Sequence, residues 1–222
     1  MEKFQYMDQS IVGSELAQRF EDLAVLYADV FADPPWNEFT RSVGCNSLFG
    51  RETQLGDICP NCGDLLTEAF RVDEVIRDTK AELANPDAVL VTREEEGKLI
   101  GFAWGYSCSP AQLLDKKYQS AEMKSKLLSL FSNEGVGDSF FYFSEIGVSP
   151  LFRNRGLSNE MSSELVNQAA TLGKRLIMRT NFQSPMVRVA QRFEMRQIMG
   201  PSLAGTINFM DTENADRVLF VK

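Results

Sequence analysis

The stretch Phe140-Phe141-Tyr142-Phe143-Ser144-Glu145-Ile146-Gly147-Val148, followed by Ser149-Pro150-Leu151-Phe152-Arg153-Asn154-Arg155-Gly156-Leu157-Ser158, decides the fold. Its first part is rich in aromatic and branched side chains, which favours a buried β-strand. Its second part is a turn that leads into a helical pattern beginning near Ser158. The stretch therefore predicts a strand, a turn and a helix in succession.

The turn before this helix has the properties of an anion-binding site. A helix N-terminus presents unpaired N–H groups and a partial positive charge, and Gly156 lets an anion approach the backbone. Arg153 and Arg155 add positive charge locally, in a chain whose 23 basic and 31 acidic residues give a net charge of −8. Taken alone, these residues leave two interpretations open, a phosphate cradle and a solvated strand-to-helix turn.

The elements on both sides of this stretch fit an α/β protein. In chain order we predict a strand at 4–7, a helix from Ser14 that Asp33-Pro34-Pro35 ends, a Cys-containing loop at 36–63, a helix at about 65–83, hairpin strands at 88–92 and 99–106, a helical insertion at 109–138, the strand 140–148, the helix from 158, a strand at 175–180, a helix at 185–197, and strands at 206–210 and 217–221. The glutamates at the hairpin turn, residues 94–96, are interpreted as a solvated tip. We predict one domain, 1–222, with a mixed, mostly antiparallel sheet of about seven strands flanked by helices on both faces.

A known family carries a similar pattern. Val148-Ser149-Pro150 followed by Arg153, Gly156 and the small residue Ser158 resembles the R/Q-x-x-G-x-G/A motif of the GCN5-related N-acetyltransferase (GNAT) superfamily, and the element order resembles that fold along nearly the whole chain. The resemblance implies acetyl-CoA as donor, with its pyrophosphate on the backbone amides of Arg153 to Ser158 and its pantetheine arm beside the strand that ends at Val148. The cofactor-binding residues that it implies are Ile146, Gly147, Val148, Arg153, Asn154, Arg155, Gly156, Leu157, Ser158, Asn181 and Gln183.

The catalytic groups are harder to assign. The chain has no histidine, which excludes imidazole catalysis. The resemblance implies Glu145 as general base, acting directly or through water, although a structural strand carboxylate is the alternative. Aligning the later helix with the family pattern places Ala190 where a thiolate-protonating tyrosine is usual, so Tyr142, Tyr106 or solvent must protonate the leaving sulfur.

We therefore expect an enzyme that moves an acetyl group from acetyl-CoA to a primary amine by direct attack in a ternary complex. The alternative is a non-catalytic acyl-CoA-binding or interaction module on the same fold. Polyamines, aminoglycosides, amino acids, and protein N-termini or lysines all remain open as acceptors, and the acidity of the chain favours cationic ones slightly. A homodimer is also left open.

The cysteines suggest a second site. Cys59-Pro60-Asn61-Cys62 has the spacing that presents two thiolates to one zinc ion, and Cys45 lies upstream in the same predicted loop. Cys108 is the fourth cysteine, and the four together are predicted to hold a structural zinc. A redox C-x-x-C pair and plain reduced thiols remain as alternatives, whereas a zinc hydrolase is disfavoured because so many thiolates leave little room for a catalytic water.

Composition limits the partners. The negative net charge disfavours nucleic acid and anionic lipid. No segment has the ~20 apolar residues of a membrane span, and the N-terminus lacks a targeting pattern, so a cytoplasmic protein is expected. The helical insertion at 109–138 is interpreted either as a lid or acceptor wall or as a packing appendage.

Overall fold

The structure, a computed structural model, describes residues 14–200 and 216–222. The strands predicted at 4–7 and 206–210 lie outside this part of the chain. The described residues divide into two compact units. Unit 1 comprises 14–82, 90–103 and 146–161, and unit 2 comprises 83–89, 104–145, 162–200 and 216–222.

The sheets have the predicted α/β organisation. In chain order the elements are α1 (Ser14–Phe31), β1 (Thr40–Ser42), β2 (Leu48–Phe49), β3 (Leu66–Glu68), α2 (Val72–Leu83), β4 (Val89–Glu95), β5 (Lys98–Cys108), α3 (Pro110–Lys117), α4 (Ala121–Asn133), β6 (Phe140–Val148), a 3₁₀ turn (Pro150–Phe152), α5 (Leu157–Thr171), β7 (Leu176–Asn181), α6 (Met186–Arg192), β8 (Arg196–Met199) and β9 (Arg217–Val221). The larger sheet has six strands in the order β4-β5-β6-β7-β9-β8. The strands β6 and β7 run parallel, whereas β9 runs antiparallel to both β7 and β8, so the predicted mixed, mostly antiparallel sheet is confirmed.

In unit 1, α1 buries the apolar face that its sequence predicts. Phe20, Leu23 and Val30 are buried, and the Tyr27 ring stacks on Phe102 of β5 at 5.7 Å. The helix ends where predicted because the two prolines that follow lack the N–H groups a helix needs.

The predicted hairpin is also confirmed. A two-residue turn joins β4 to β5, and both of its residues have positive φ, 53° at Glu96 and 74° at Gly97. Such a turn matches the twist of two antiparallel strands.

Unit 2 has its own hydrophobic core, and the predicted insertion supplies part of it. The insertion forms two helices rather than one, because Tyr118 is extended between them and the hydroxyl of Ser120 accepts the N–H of Met123 to start α4. The Tyr118 side chain, 2% exposed, fills the core at this break. The members of this core include Tyr106, Cys108, Leu113, Leu114, Tyr118, Met123, Leu127, Phe131, Phe140, Tyr142, Ile177 and Leu219.

Three predicted elements are corrected. The loop at 36–63 contains two short strands, β1 and β2, which join β3 in a three-stranded antiparallel sheet of order β2-β1-β3, here called the ribbon, residues 40–68. The helix predicted from 65 begins at Val72, because Leu66 pairs with Ser42 and is buried. The helix predicted to reach 197 ends at Arg192, because Ile198 and Met199 are buried when β8 pairs with β9. No helix in the described ranges is long and apolar enough to cross a membrane.

Candidate functional site

The loop between β6 and α5 is a tight turn with a left-handed backbone at two places. After the 3₁₀ turn, Asn154 has a φ of 65° and Gly156 a φ of 85°. Asparagine tolerates this conformation better than most residues, and glycine adopts it without strain. The space where a Gly156 side chain would lie is empty, with nothing within 4 Å. The backbone is therefore exposed at the start of α5.

The N–H groups of this loop are open. The carbonyl of Gly156 accepts the N–H groups of Asn159 and Glu160, at 3.0 and 3.1 Å, which starts the helix. The N–H groups of residues 154–158 donate to no acceptor within the described part of the chain. Unpaired donors at a helix N-terminus, together with the helix dipole, attract anions.

The two arginines of the loop differ in their contacts. Arg153 turns back, and its guanidinium lies 3.4 Å from the carbonyl of Val148 and 3.4 Å from that of Val30 in α1. Arg155 extends outward, with its guanidinium over the Phe152 ring at 4.7 Å and 3.1 Å from the carboxylate of Glu95. Arg153 therefore holds the loop against the end of β6 and α1, whereas the guanidinium of Arg155 is exposed and pairs with Glu95.

Glu95 is a site residue that the sequence analysis missed. It was interpreted as part of a solvated hairpin tip, yet it pairs with Arg155, and its neighbour Glu94 pairs with Arg19 at 3.3 Å. The sequence shows an acidic turn and a separate basic loop, but it does not show that Glu95 pairs with Arg155.

The end of β6 carries the other predicted donor-site residues of unit 1. A side chain at Gly147 would clash with Phe102 and Val30, at 2.4 and 3.0 Å, so glycine is required for the close approach of α1 and β5. Ile146 and Val148 are partly exposed on either side of it. The Ser149 N–H donates to the carbonyl of Ile100 at 2.9 Å and holds the strand end in place.

The predicted catalytic residues lie in unit 2. Glu145 is partly exposed near the end of β6, whereas Tyr142 is 2% exposed in the core of that unit. The Tyr142 ring packs edge-on against Tyr106 at 5.8 Å, and the ammonium of Lys117 lies 6.0 Å from its centre. Solvent therefore reaches Glu145, whereas Tyr142 is enclosed by the core of unit 2.

Asn181 and Gln183 follow β7 in the same unit. The Asn181 amide is already used, because it donates to Asp216 at 2.6 Å and accepts the Gln183 N–H at 2.8 Å. The Gln183 side chain is exposed. Ala190, at the family's tyrosine position, has no exposed surface. Gln183 is therefore exposed, the hydrogen bonds of Asn181 hold the turn after β7, and Ala190 is fully buried.

Three of the four predicted zinc ligands meet in unit 1. The Sγ atoms of Cys45, Cys59 and Cys62 lie within 4.8 Å of one another, and those of Cys45 and Cys59 are 3.6 Å apart. The fourth predicted ligand is not part of this group: Cys108 lies at the end of β5 and packs in the core of unit 2. The described residues therefore bring three thiols together, and Cys108 as a fourth ligand stays a prediction.

The hydroxyl groups around these thiols change their acidity. Hydrogen bonds from Ser42 and Ser47 lower the pKa of Cys45 to about 6. Ser42 also lowers the pKa of Cys62, but the neighbouring thiols Cys45 and Cys59 raise it, and the net direction is upward. The group therefore favours a thiolate at Cys45, and thiolates are the form that binds metals.

The architecture is similar to that of known structures. The chain aligns over 100% of its length with 95% of PH1933 from Pyrococcus horikoshii OT3, at a TM-score of 0.52 and 11% identity. An N-acetyltransferase from Staphylococcus aureus Mu50 aligns with 100% of the chain and over 98% of its own, at 0.49 and 12% identity. The Drosophila melanogaster polyamine N-acetyltransferase covers 66% of the chain, and 80% of its own, at 0.43 and 17% identity.

No protein-family model and no curated protein matches the chain. At these identities the likeness to solved structures concerns the fold. The chain shares an α/β fold with PH1933, and its mixed, mostly antiparallel sheet is the one that the sequence predicts.

Proposed function

We propose that the chain is an acyl-CoA-dependent N-acetyltransferase that moves an acetyl group from acetyl-CoA to a primary amine. The observation that supports this most is the loop from Asn154 to Ser158, whose backbone N–H groups are open and whose Gly156 leaves room for a bulky anion. A pyrophosphate on this loop would be held by several backbone donors and by the helix dipole. In this chain the loop follows β6, the strand that contains Glu145.

The same proposal assigns the cofactor contacts. Arg155 would contact a phosphate group of the coenzyme after leaving Glu95, whereas Arg153 keeps the loop on the carbonyls of Val148 and Val30. The pantetheine arm would lie along Ile146, Gly147 and Val148, of which Ile146 and Val148 are partly exposed. Gln183 would contribute an exposed amide from the turn after β7.

In the chemical step, the acceptor amine loses a proton to Glu145 and its nitrogen attacks the thioester carbonyl carbon. The new C–N bond gives a tetrahedral oxyanion, which a backbone N–H near Val148 would stabilise. The C–S bond then breaks and the thiolate takes a proton from Tyr142 or from solvent. A thiol with a pKa of ~8.5 leaves acceptably without a dedicated acid. The net charge of −8 favours a cationic acceptor.

The donor site is tested by Gly156→Trp, with Gly173→Trp as the matched control. Gly173 ends the same helix, also has a positive φ, 63°, and also has nothing within 4 Å of a side chain. Each variant places a tryptophan in open space on a left-handed backbone, so a loss of acetyl-CoA affinity by calorimetry in Gly156→Trp alone supports the proposal. Equal affinity in the two variants would show that the pyrophosphate does not bind here.

The reaction is tested by acetyl transfer to a panel of amines: a polyamine, an aminoglycoside, free amino acids, and peptides with a free N-terminus or lysine. Glu145→Gln should lower kcat by about 10²–10⁴-fold and remove the acidic limb of the pH–rate profile. Glu122→Gln, which makes the same charge change on the α4 surface of unit 2, should leave both unchanged. Tight acetyl-CoA binding without transfer to any amine would favour the non-catalytic acyl-CoA-binding module.

A further inference from the structure

The ribbon contains two segments with the same spacing. Ser42 and Cys45 are separated by two residues, as are Cys59 and Cys62. The first pair spans the end of β1 and the turn toward β2, and the second pair lies in the turn before β3. Each turn contains a left-handed residue, Asn46 with a φ of 55° in the first and Gly63 with a φ of 84° in the second.

These turns bring four side-chain atoms together. The Sγ atoms of Cys45 and Cys59 are 3.6 Å apart, and the Oγ of Ser42 is 3.0 Å from the Sγ of Cys62. The backbone N–H of Cys45 donates to the same Ser42 Oγ at 3.4 Å. In a tetrahedral zinc site with Zn–S bonds of ~2.3 Å, neighbouring sulfur atoms lie about 3.8 Å apart. The 3.6 Å between the Sγ atoms of Cys45 and Cys59 is close to that value, and the three sulfur atoms all lie within 4.8 Å of one another.

Ser42 is the side chain that completes this set. It has no exposed surface, and its hydroxyl faces the thiols. Within the described ranges no carboxylate belongs to the group. The nearby carboxylate of Asp64 packs against the backbone of Gly44 instead. Two hydroxyl groups contact the thiols: the Ser47 Oγ lies 3.1 Å from the Cys45 Sγ but is partly exposed, whereas the Ser42 Oγ is buried. Ser42 is therefore the hydroxyl that is best enclosed with the thiols.

The ribbon also needs a cross-link. Its three strands have three, two and three residues. Few of its apolar side chains are buried, notably Leu66, whereas Val43, Leu48, Leu55, Ile58 and Leu65 are exposed. So small a sheet has too little core to fold on its own apolar area, and metals or disulfides usually supply the difference.

We propose that Ser42, Cys45, Cys59 and Cys62 form a mononuclear zinc site, with three thiolate ligands and the Ser42 hydroxyl oxygen at the fourth corner. Binding releases the protons of the three thiols and gives the site a net charge of −1, since the hydroxyl remains neutral. The metal joins the β1–β2 turn to the turn before β3. Two ion pairs attach the ribbon to the helices beside it: Arg51 pairs with Asp29 of α1 at 2.5 Å, and Arg41 pairs with Glu74 of α2 at 3.3 Å.

The test begins with the full chain purified without added metal. Elemental analysis should find about one equivalent of zinc, and X-ray absorption should show three sulfur ligands at ~2.3 Å and one oxygen at ~2.0 Å. Replacement by Co²⁺ should give the visible absorption of a tetrahedral site with thiolate charge-transfer bands. A chain without zinc that also fails to bind Co²⁺ would overturn the proposal, as would a disulfide between Cys45 and Cys59 in that chain.

Variants distinguish Ser42 from Cys108 as the fourth ligand. Ser42→Cys should give a four-sulfur site with tighter zinc binding, a gain that an unfolded variant cannot mimic. Ser42→Ala should weaken zinc binding by about 10-fold or more, on the scale of lost metal-site contacts. Cys108→Ser should keep one equivalent of zinc and an unchanged Co²⁺ spectrum. Loss of metal in Cys108→Ser with unchanged zinc affinity in Ser42→Ala would show that the oxygen ligand is assigned wrongly.

Discussion

The guanidinium of Arg155 lies 3.1 Å from the carboxylate of Glu95, the last residue of β4. The exposed positive charge of the candidate donor site is therefore paired with a carboxylate. Both side chains are about half exposed, at 54% and 47%. Exposed pairs of this kind contribute at most about 1 kcal/mol. A phosphate group that uses Arg155 must therefore displace Glu95, at a small free-energy cost.

Removing that competitor should tighten acetyl-CoA binding. Glu95→Gln leaves Arg155 without its carboxylate partner, and we expect a Kd lower by up to about fivefold, which corresponds to about 1 kcal/mol. Calorimetry at low salt measures it, and the difference should shrink as salt screens the pair. Glu94→Gln is the control, since that residue pairs with Arg19. A higher Kd for acetyl-CoA in Glu95→Gln would mean that Glu95 favours acetyl-CoA binding instead of competing with it for Arg155.

The stability of unit 2 should depend on pH through Asp87. The Asp87 carboxylate accepts a hydrogen bond from Lys174 at 2.7 Å, which lowers the pKa of Asp87. A lowered folded-state pKa gives stability that is present above the ordinary carboxyl value and lost as pH falls through the lowered one.

Asp87→Asn tests this dependence. The variant should lose about 0.5–1 kcal/mol of unfolding free energy at pH 7, because the pair is partly solvated, and little at pH 2. Asparagine accepts the positive φ of 54° at this position, so the backbone is preserved. Urea unfolding at the two pH values measures both quantities. An equal loss at both pH values would show that the carboxylate charge is not the cause.

Restoring the family's tyrosine should not help this protein. Ala190 has no exposed surface on α6, so Ala190→Tyr must displace packed neighbours and should lower the unfolding free energy by about 1–3 kcal/mol without raising kcat. Arg188→Tyr, at an exposed position of the same helix, should cost far less. Thermal unfolding and acetyl-transfer rates are the measurements. A faster, equally stable Ala190→Tyr would show that the proton-donor site is merely vacant.

The turn after β7 should separate stability from binding. Asn181 is buried and uses both ends of its amide, so Asn181→Ala leaves buried partners unsatisfied and should cost about 1–3 kcal/mol. Gln183→Ala removes an exposed side chain and should leave stability unchanged while weakening acetyl-CoA binding. Urea unfolding and calorimetry on both variants check this division. A stability loss in Gln183→Ala of similar size would contradict it.

The elements that were predicted well are those with a strong local pattern. The strand Phe140–Val148 is continuous in aromatic and branched residues, and α1 has a regular apolar face, so period and composition alone identify them. The turn at Gly156 was also predictable from the sequence, because glycine adopts a left-handed backbone without strain.

The predictions that failed depend on partners distant in the chain. Arg196–Met199 reads as the end of a helix until β9 pairs with it, and the ribbon strands are too short to show an alternating pattern. Glu95 and Ser42 were missed for the same reason, since each gains meaning only from a side chain in another segment. Cys108 as a metal ligand stays a prediction, because cysteine spacing does not distinguish a ligand from a buried apolar residue and Cys108 is buried in the core of unit 2.

The sparse core of the ribbon has a consequence for how the native protein fluctuates. A segment with few buried side chains opens more easily than the elements around it and forms a cooperative unit of its own, separate from global unfolding. Amide hydrogen exchange in the metal-free protein should therefore be faster in residues 40–68 than in the buried strands β6 and β7. In the metal-free protein the ribbon would therefore open while β6 and β7 remain folded.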